Sequence, residues 1–359
     1  MTPGIEFNAR VREIPVYPAA STYAYDGDLV KLASNETPWP PPAPVAEAIQ
    51  RGICNLNRYP DPQATALRAA LAARHDVAPE RIAVGNGSCA ILLAVAEAML
   101  EPGAEVVYAW PSFSMYPHLD RMTGARALAV PLDADGRHDL EAMAREVNAA
   151  TRLVIVCNPN NPTATALTPA EINAFVTGLP RRVCVIVDEA YVEFSLLQDP
   201  DESLDLLKRH PNLVLLRTFS KLYGLCGLRV GYALGSSEFK QAVDRVRQPF
   251  SVNALAQAAA TAALADGDEI ESRIERTVAE RLFVEEGLAG LGLDTSASQA
   301  NFSWVALGER DEAELLRGLG ERGVIVRGGA DLGEAGHIRV TYGTHEQNER
   351  FLQALQEVS

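Results

Sequence analysis

At 359 residues with 47% apolar side chains, the chain exceeds one ordinary hydrophobic core, which calls for two packed lobes or one large α/β domain with an appendage. A formal net charge of -15 and a pI near 4.9 argue against a nucleic-acid or anionic-membrane surface and leave a small molecule as the expected partner. The five scattered cysteines form no CxxC pair, the six histidines show no metal-ligand spacing, and no apolar run reaches membrane-spanning length. The expectation is a soluble, cytoplasmic protein with reduced thiols and without a metal site.

In chain order, residues 1–30 carry little apolar periodicity and read as an arm. The proline-rich bend NETPWPPPAP, from Asn35 to Pro44, cannot continue a helix or a central strand. Helical patterns then alternate with short β-branched runs: RIAVG (81–85), AEVVYAW (104–110), RLVIVC (152–157), RVCVIVD (182–188), NLVLLR (212–217) and LRVGYAL (228–234). This alternation predicts an α/β fold with a mostly parallel central sheet flanked by helices, a large domain over 31–245. One long helical stretch from Asn253 to about Leu291, followed by the runs NFSWVAL, GVIVRGG and HIRVTYG, predicts a smaller α+β C-terminal domain over 246–359.

In an open parallel sheet, ligands bind beyond the carboxyl ends of the strands. Three runs end in chemically active residues: LVIVC in Asn158-Pro159-Asn160-Asn161, CVIVD in Asp188-Glu189-Ala190-Tyr191, and LVLLR in Thr218-Phe219-Ser220-Lys221. Taken singly, these are ordinary turn formers, helix caps and surface groups. Lys221, however, is one of four lysines in a chain whose other basic residues are arginine. A guanidinium cannot form an imine with an aldehyde, so a lysine kept at a strand end marks a Schiff-base former. Such lysines serve pyridoxal phosphate, which also needs an acid at its pyridine nitrogen and a phosphate cup. Asp188 stands where that acid would be.

The cup is predicted at RIAVGNGSCAILLAVAEAML, where Gly87 allows a tight turn and Ser88 opens a helix whose N-terminal N–H groups face an anion. Gly85-Asn86-Gly87-Ser88-Cys89-Ala90 also fits the GxGxxA pattern of dinucleotide-binding oxidoreductases. That reading needs an acid after the next strand, and Trp110 is followed by Pro111-Ser112-Phe113-Ser114 instead. It also leaves Lys221 and Asp188 without roles.

With these residues assembled, the chain resembles fold-type I pyridoxal-phosphate aminotransferases, and among them the histidinol-phosphate aminotransferases. LASNETP, NRYPDP, GNGS, PSFSMYP, CNPNNPT, VDEAYVEF, RTFSKLYGLCGLRVGY, SQANF and IRVTYGT occur in the family's order, over most of the chain. The resemblance implies that Lys221 joins the cofactor and moves the substrate's α-proton, that Asp188 keeps the ring nitrogen protonated, and that Asn161 and Tyr191 bond the ring's phenolic oxygen. It further implies that Phe113 stacks on the ring and that Gly87, Ser88, Cys89, Ser220 and Arg229 hold the phosphate. Tyr59 would reach the same phosphate from the second subunit of a homodimer. Arg339 resembles the arginine that grips the substrate carboxylate, Arg327 and Tyr17 resemble groups that meet a distal phosphate, and Asn35 falls among the substrate-binding residues.

These implications lead to transamination of histidinol phosphate in histidine biosynthesis, paired with glutamate and 2-oxoglutarate. Three segments depart from that picture: WPSFSMYP, NPTAT in place of NPTG, and SQANFSW look like relatives that favour aromatic amino acids such as phenylalanine. Cys89-Ala90 replaces an acidic pair, so the cup must rely on backbone donors, and Ala164 should stiffen its turn. A pyridoxal-phosphate lyase or decarboxylase, or a non-catalytic cofactor-binding regulator, are the other readings of the same scaffold.

Overall fold

Periodic apolar runs become strands here because both sheet faces are covered. The computed structural model describes residues 5–14, 29–197 and 199–358. In chain order its strands are β1 (Val30–Lys31), β2 (Ile82–Gly85), β3 (Glu105–Trp110), β4 (Arg126–Pro131), β5 (Thr151–Cys157), β6 (Cys184–Asp188), β7 (Leu213–Thr218), β8 (Gly231–Leu234), β9 (Asp294–Thr295), β10 (Phe302–Ala306), β11 (Val324–Ile325), β12 (Arg327–Gly328) and β13 (His337–Thr341). The α-helices are α1 (Ala43–Ile53), α2 (Thr65–His75), α3 (Ser88–Met99), α4 (Tyr116–Thr123), α5 (Leu140–Glu146), α6 (Pro169–Gly178), α7 (Leu204–Arg209), α8 (Ser237–Val246), α9 (Ala254–Leu264), α10 (Gly267–Gly290), α11 (Glu312–Glu321) and α12 (His345–Val358). Among the described residues, no helix is long and apolar enough to cross a membrane.

Seven strands form one sheet in the order β2-β8-β7-β6-β5-β3-β4. Strands β3 to β7 run parallel, and β8 is antiparallel to both β7 and β2. Strand β2 therefore ends at the same sheet edge as the parallel strands. Chain direction across the sheet reverses between β3 and β5, which makes their shared end the place where a crevice opens.

Alternate residues along each strand serve opposite faces. Leu153 and Ile155 of β5 and Ile186 of β6 pack with Ile91, Leu119 and Val243 of α3, α4 and α8. The intervening Val154, Val156, Val185 and Val187 pack with Leu71, Ile172 and Ala259 of α2, α6 and α9. Burial on both faces is the reason these runs are continuously apolar, and it bears out the expected α/β class. The C-terminal part builds a second sheet, β12-β13-β10-β9, over a core with Leu288, Leu319 and Phe351 from α10, α11 and α12. The entering chain is tied to it, because β1 pairs in parallel with β11.

Two elements differ from the sequence reading. Strand β4 lies at the sheet edge with most residues half-buried or exposed, so RALAVP lacks the apolar run that marked the central strands. The long helical stretch is two helices, broken at Ala265-Asp266-Gly267. There the Ala265 N–H bonds the Ala262 and Ala263 carbonyls, and the low helix propensity of glycine falls between them and the acidic first turn of α10.

Directly behind the crevice, Arg217 of β7 and Glu189 after β6 form a fully buried ion pair, Nε to Oε2 at 2.7 Å. Arg217 also donates to Ser203 Oγ at 3.1 Å. Arg217 also lies 3.8 Å from the part-exposed Asp201 carboxylate, but losing Glu189 removes its buried, hydrogen-bonded partner. Glu189→Gln should therefore lower unfolding stability by about 3 kcal/mol, read from urea midpoints, while Glu189→Leu combined with Arg217→Met should restore much of it.

Candidate active site

The ends of β2, β3, β5, β6 and β7 open into a cavity of about 480 Å³. Its walls include Lys221, Asp188, Tyr191, Asn161, Asn35, Ser88, Cys89, Phe113, Ser220, Arg229, Arg327 and Arg339, so the fold gathers nearly all the site residues read from the sequence. Gly87 stands beside them as the residue before α3. Tyr59 does not join them within this chain: it is 82% exposed and stacks on Phe250 with ring centroids 4.6 Å apart. Tyr17 lies outside the described residues.

Asp188 ends β6 and is buried. Its Oδ2 accepts from the Tyr116 hydroxyl at 3.0 Å, while Oδ1 is buried without a hydrogen-bond partner among the described residues. Burial pushes its pKa up to about 7, and the Tyr116 hydroxyl and Ala190 N–H, which favour the ionised form, do not offset this. Such a carboxylate calls for a donor from the cavity.

Lys221 follows β7 after the turn Thr218-Phe219-Ser220. Its amine donates to the Ser34 carbonyl at 3.0 Å and lies 5.8 Å from the centre of the Tyr191 ring. Burial, and then the positive charge of Arg339, lower its pKa to about 8. A larger share of neutral, nucleophilic amine is available near pH 8 than an ordinary lysine offers.

The anion cup forms where α3 starts against β8. The first N–H groups of α3 have no intrahelical acceptor. Gly87 takes φ 77°, and a Cβ there would lie 2.6 Å from the Arg229 guanidinium; a Cβ on Gly231 would lie 2.5 Å from the Ser88 nitrogen. Gly87 is thus required by its left-handed backbone and Gly231 by the close approach of the Ser88 backbone. Arg229 donates to Ser220 Oγ at 3.4 Å and to the Cys226 carbonyl at 3.0 Å, which sets its guanidinium beside the helix end. Helix N–H groups, a hydroxyl and a guanidinium together suit a phosphate.

Across the cavity, two buried side chains join the C-terminal part to the large sheet. Arg339 of β13 donates to Asn161 Oδ1 at 2.6 Å and to the Ala33 carbonyl at 2.7 Å. With Oδ1 held by Arg339, the Asn161 amide still has its N–H donors to offer. Asn35 donates from Nδ2 to the Tyr191 hydroxyl at 2.9 Å, and its Oδ1 accepts from Thr341 Oγ1 at 3.1 Å. Tyr191 is therefore an acceptor toward Asn35 with its own proton left to donate.

Sequence reasoning missed Tyr116, although PSFSMYP was singled out; nothing local shows that a tyrosine on α4 reaches Asp188. It also missed the support behind Asn161. Asn160 Oδ1 accepts from Ser112 Oγ at 2.7 Å and lies 3.0 Å from His138 Nε2, while its Nδ2 donates to the Pro111 carbonyl at 3.2 Å. This ties the loop bearing Phe113 to the loop bearing Asn161. Ala164, in the NPTAT turn, adopts a left-handed backbone with φ 60°, a conformation that costs a non-glycine residue about 1 kcal/mol. Its carbonyl accepts from the Gln299 N–H at 2.7 Å, and the Thr163 carbonyl accepts from Ser296, which hold the turn from outside.

The unpartnered Asp188 oxygen, the Lys221 amine with its lowered pKa and the cup at α3 fit the ring nitrogen, aldehyde and phosphate of pyridoxal 5'-phosphate. The chain belongs to the aminotransferase class I and II family, which it matches over residues 27–355. Among its relatives, an aromatic amino acid aminotransferase of Corynebacterium jeikeium (strain K411) is 46% identical over 349 residues, 96% of this chain and 91% of the relative. One of Streptomyces coelicolor is 40% identical over 353 residues, 98% of this chain and 97% of the relative. Among solved structures, the histidinol-phosphate aminotransferase of Sinorhizobium meliloti in complex with pyridoxal-5'-phosphate superposes with a TM-score of 0.90 at 28% identity, covering 99% of this chain and 98% of that one. The protein is a pyridoxal-phosphate-dependent aminotransferase acting on small amino and keto acids.

The rate at which cofactor-free protein takes up pyridoxal phosphate, followed by visible absorbance, should rise with pH about a midpoint near 8, since the neutral form of Lys221 reacts. Asp188, with its folded pKa raised, costs stability as pH climbs from about 4 through 7. Asp188→Asn should accordingly raise the melting temperature of cofactor-free protein by several degrees at pH 8, less at pH 5, and weaken cofactor binding.

Proposed function

We propose that this aminotransferase exchanges the amino group of aromatic amino acids, phenylalanine foremost, with 2-oxoglutarate. The observation that carries the reading is the full-length similarity to proteins named aromatic amino acid aminotransferases, at 40–46% identity. The cavity beyond Lys221 agrees: Trp110, Pro117 and Leu332 offer apolar walls, and Arg327, the residue expected to meet a phosphate, stands beside the Asp331 carboxylate. The histidinol-phosphate reading draws support from the superposed fold at 28% identity, a weaker warrant for substrate than the sequence relatives.

In this scheme Lys221 moves the proton at the substrate α-carbon and Asp188 holds the proton on the ring nitrogen. When bound, the cofactor draws electrons from that carbon and takes up the amino group. Asn161 and Tyr191 would donate to the ring oxygen, Phe113 would lie against the ring, and the Arg339 guanidinium would hold the substrate carboxylate. A homodimer would bring Tyr59 of one subunit to the other's phosphate and cover Ile53, Leu56 and Tyr59, which are exposed in the single chain.

With glutamate as donor, kcat/KM for phenylpyruvate should exceed that for imidazole-acetol phosphate by about tenfold or more, the discrimination a mismatched pocket gives. The opposite order would return the assignment to histidinol phosphate. Lys221→Ala should keep the fold, lose the imine absorbance and lower kcat by about 10³ to 10⁴.

A further inference from the structure

Arg327 and Arg339 pair across the β12–β13 ladder, so two guanidiniums enter one cavity from neighbouring strands. Their surroundings differ. Arg339 is held by the neutral oxygens of Asn161 and Ala33. Arg327, its side chain 10% exposed, instead meets a carboxylate, with Nη2 at 3.4 Å from Asp331 Oδ2, and the Asp331 side chain is 56% exposed.

Asp331 sits on the short 3-10 turn Ala330–Leu332, and that turn is pinned. Glu312 accepts from the N–H groups of Ala330 at 3.0 Å and Gly336 at 2.8 Å. Gly333, at φ 103°, packs so closely on Trp110 that a Cβ would lie 2.8 Å from the indole. Among the described residues lining the cavity, the carboxylates are Asp188, at the cofactor end, and Asp331; the arginines are Arg121, Arg229, Arg327 and Arg339.

We infer that Asp331 is an exchangeable counter-ion that sets which side chains the pocket accepts. An amino-transfer cycle passes both partners through one site, so the same pocket must receive an aromatic ring and then a second carboxylate. A lone guanidinium against a ring would be a desolvated charge without a partner. Paired with Asp331, Arg327 shows the ring no net charge. A side chain ending in an anion takes Arg327 over, and Asp331 turns into the solvent that already reaches it. A half-exposed ion pair is weak enough for that exchange. Arg339 is instead fixed by its hydrogen bonds to the buried Asn161 side chain and to the Ala33 carbonyl. The inference rests on the aromatic reading above.

The test is binding of two unreactive acids to the cofactor-loaded enzyme by calorimetry: glutarate, with a carboxylate at the far end, and 3-phenylpropanoate, with a ring there. Asp331→Asn should tighten glutarate and weaken 3-phenylpropanoate, shifting their affinity ratio by about three- to tenfold. Asp331→Glu should keep the wild-type ratio, and Asp331→Asn should add nothing in an Arg327→Gln background. An unchanged ratio in loaded Asp331→Asn enzyme, or the same shift without Arg327, overturns the role of Asp331 while leaving the aromatic assignment standing. Wild-type enzyme that binds glutarate but neither binds 3-phenylpropanoate nor turns over phenylpyruvate overturns the aromatic assignment, and this inference with it.

Discussion

A carboxylate at the end of a strand buried in the middle of a sheet, with one oxygen bonded and the other left without a partner, is an arrangement that folding alone would not favour. Asp188 is held in this state by its place in β6 and by Tyr116. Facing the same cavity, the Lys221 amine is also pressed toward neutrality, by burial and by Arg339. Two groups of opposite charge type are each pushed toward their uncharged forms. One planar cofactor with a cationic nitrogen at one end and an aldehyde at the other would complete both, and the cup at α3 suits its phosphate.

The rest of the molecule positions that pair and supplies the substrate end. The parallel strands bring their C-terminal loops to one edge. The C-terminal part then supplies Arg339 and, through Thr341, orients Asn35 against Tyr191. Arg281 of α10 reinforces the joint by donating to the Phe194 carbonyl at 2.7 Å. The buried Glu189–Arg217 pair keeps the strand ends that bear Asp188 and Lys221 in register from behind. Catalytic groups on strand ends and substrate groups on a separately packed part make the site a joint product of both cores.

Charge neutrality distinguishes the two ends of the cavity. At the phosphate end Arg229 faces a hydroxyl and helix N–H groups, a surrounding that stays positive and suits a permanent dianion. At the substrate end Arg327 has a carboxylate beside it, which suits a ligand whose far end is sometimes neutral and sometimes charged.

Periodicity and chain order made the central strands legible, because a run buried on both faces must be apolar throughout and the residues after it must lie at the sheet edge. Lys221 stood out for the chemistry that arginine cannot do, and Asp188 for its place after such a run. The edge strand β4 and the break at Asp266-Gly267 were not legible, since half-exposed strands and capped helix ends leave weak local patterns. Tyr116 reaching Asp188, Asn160 bridging two loops and Asp331 meeting Arg327 were invisible for a deeper reason. By itself the sequence determined which segments are strands, which residues follow them and hence which chemistry is available. Only the tertiary structure decided which side chains are left without partners and which charges are paired, because desolvation and hydrogen bonding depend on distances between elements that lie far apart along the chain.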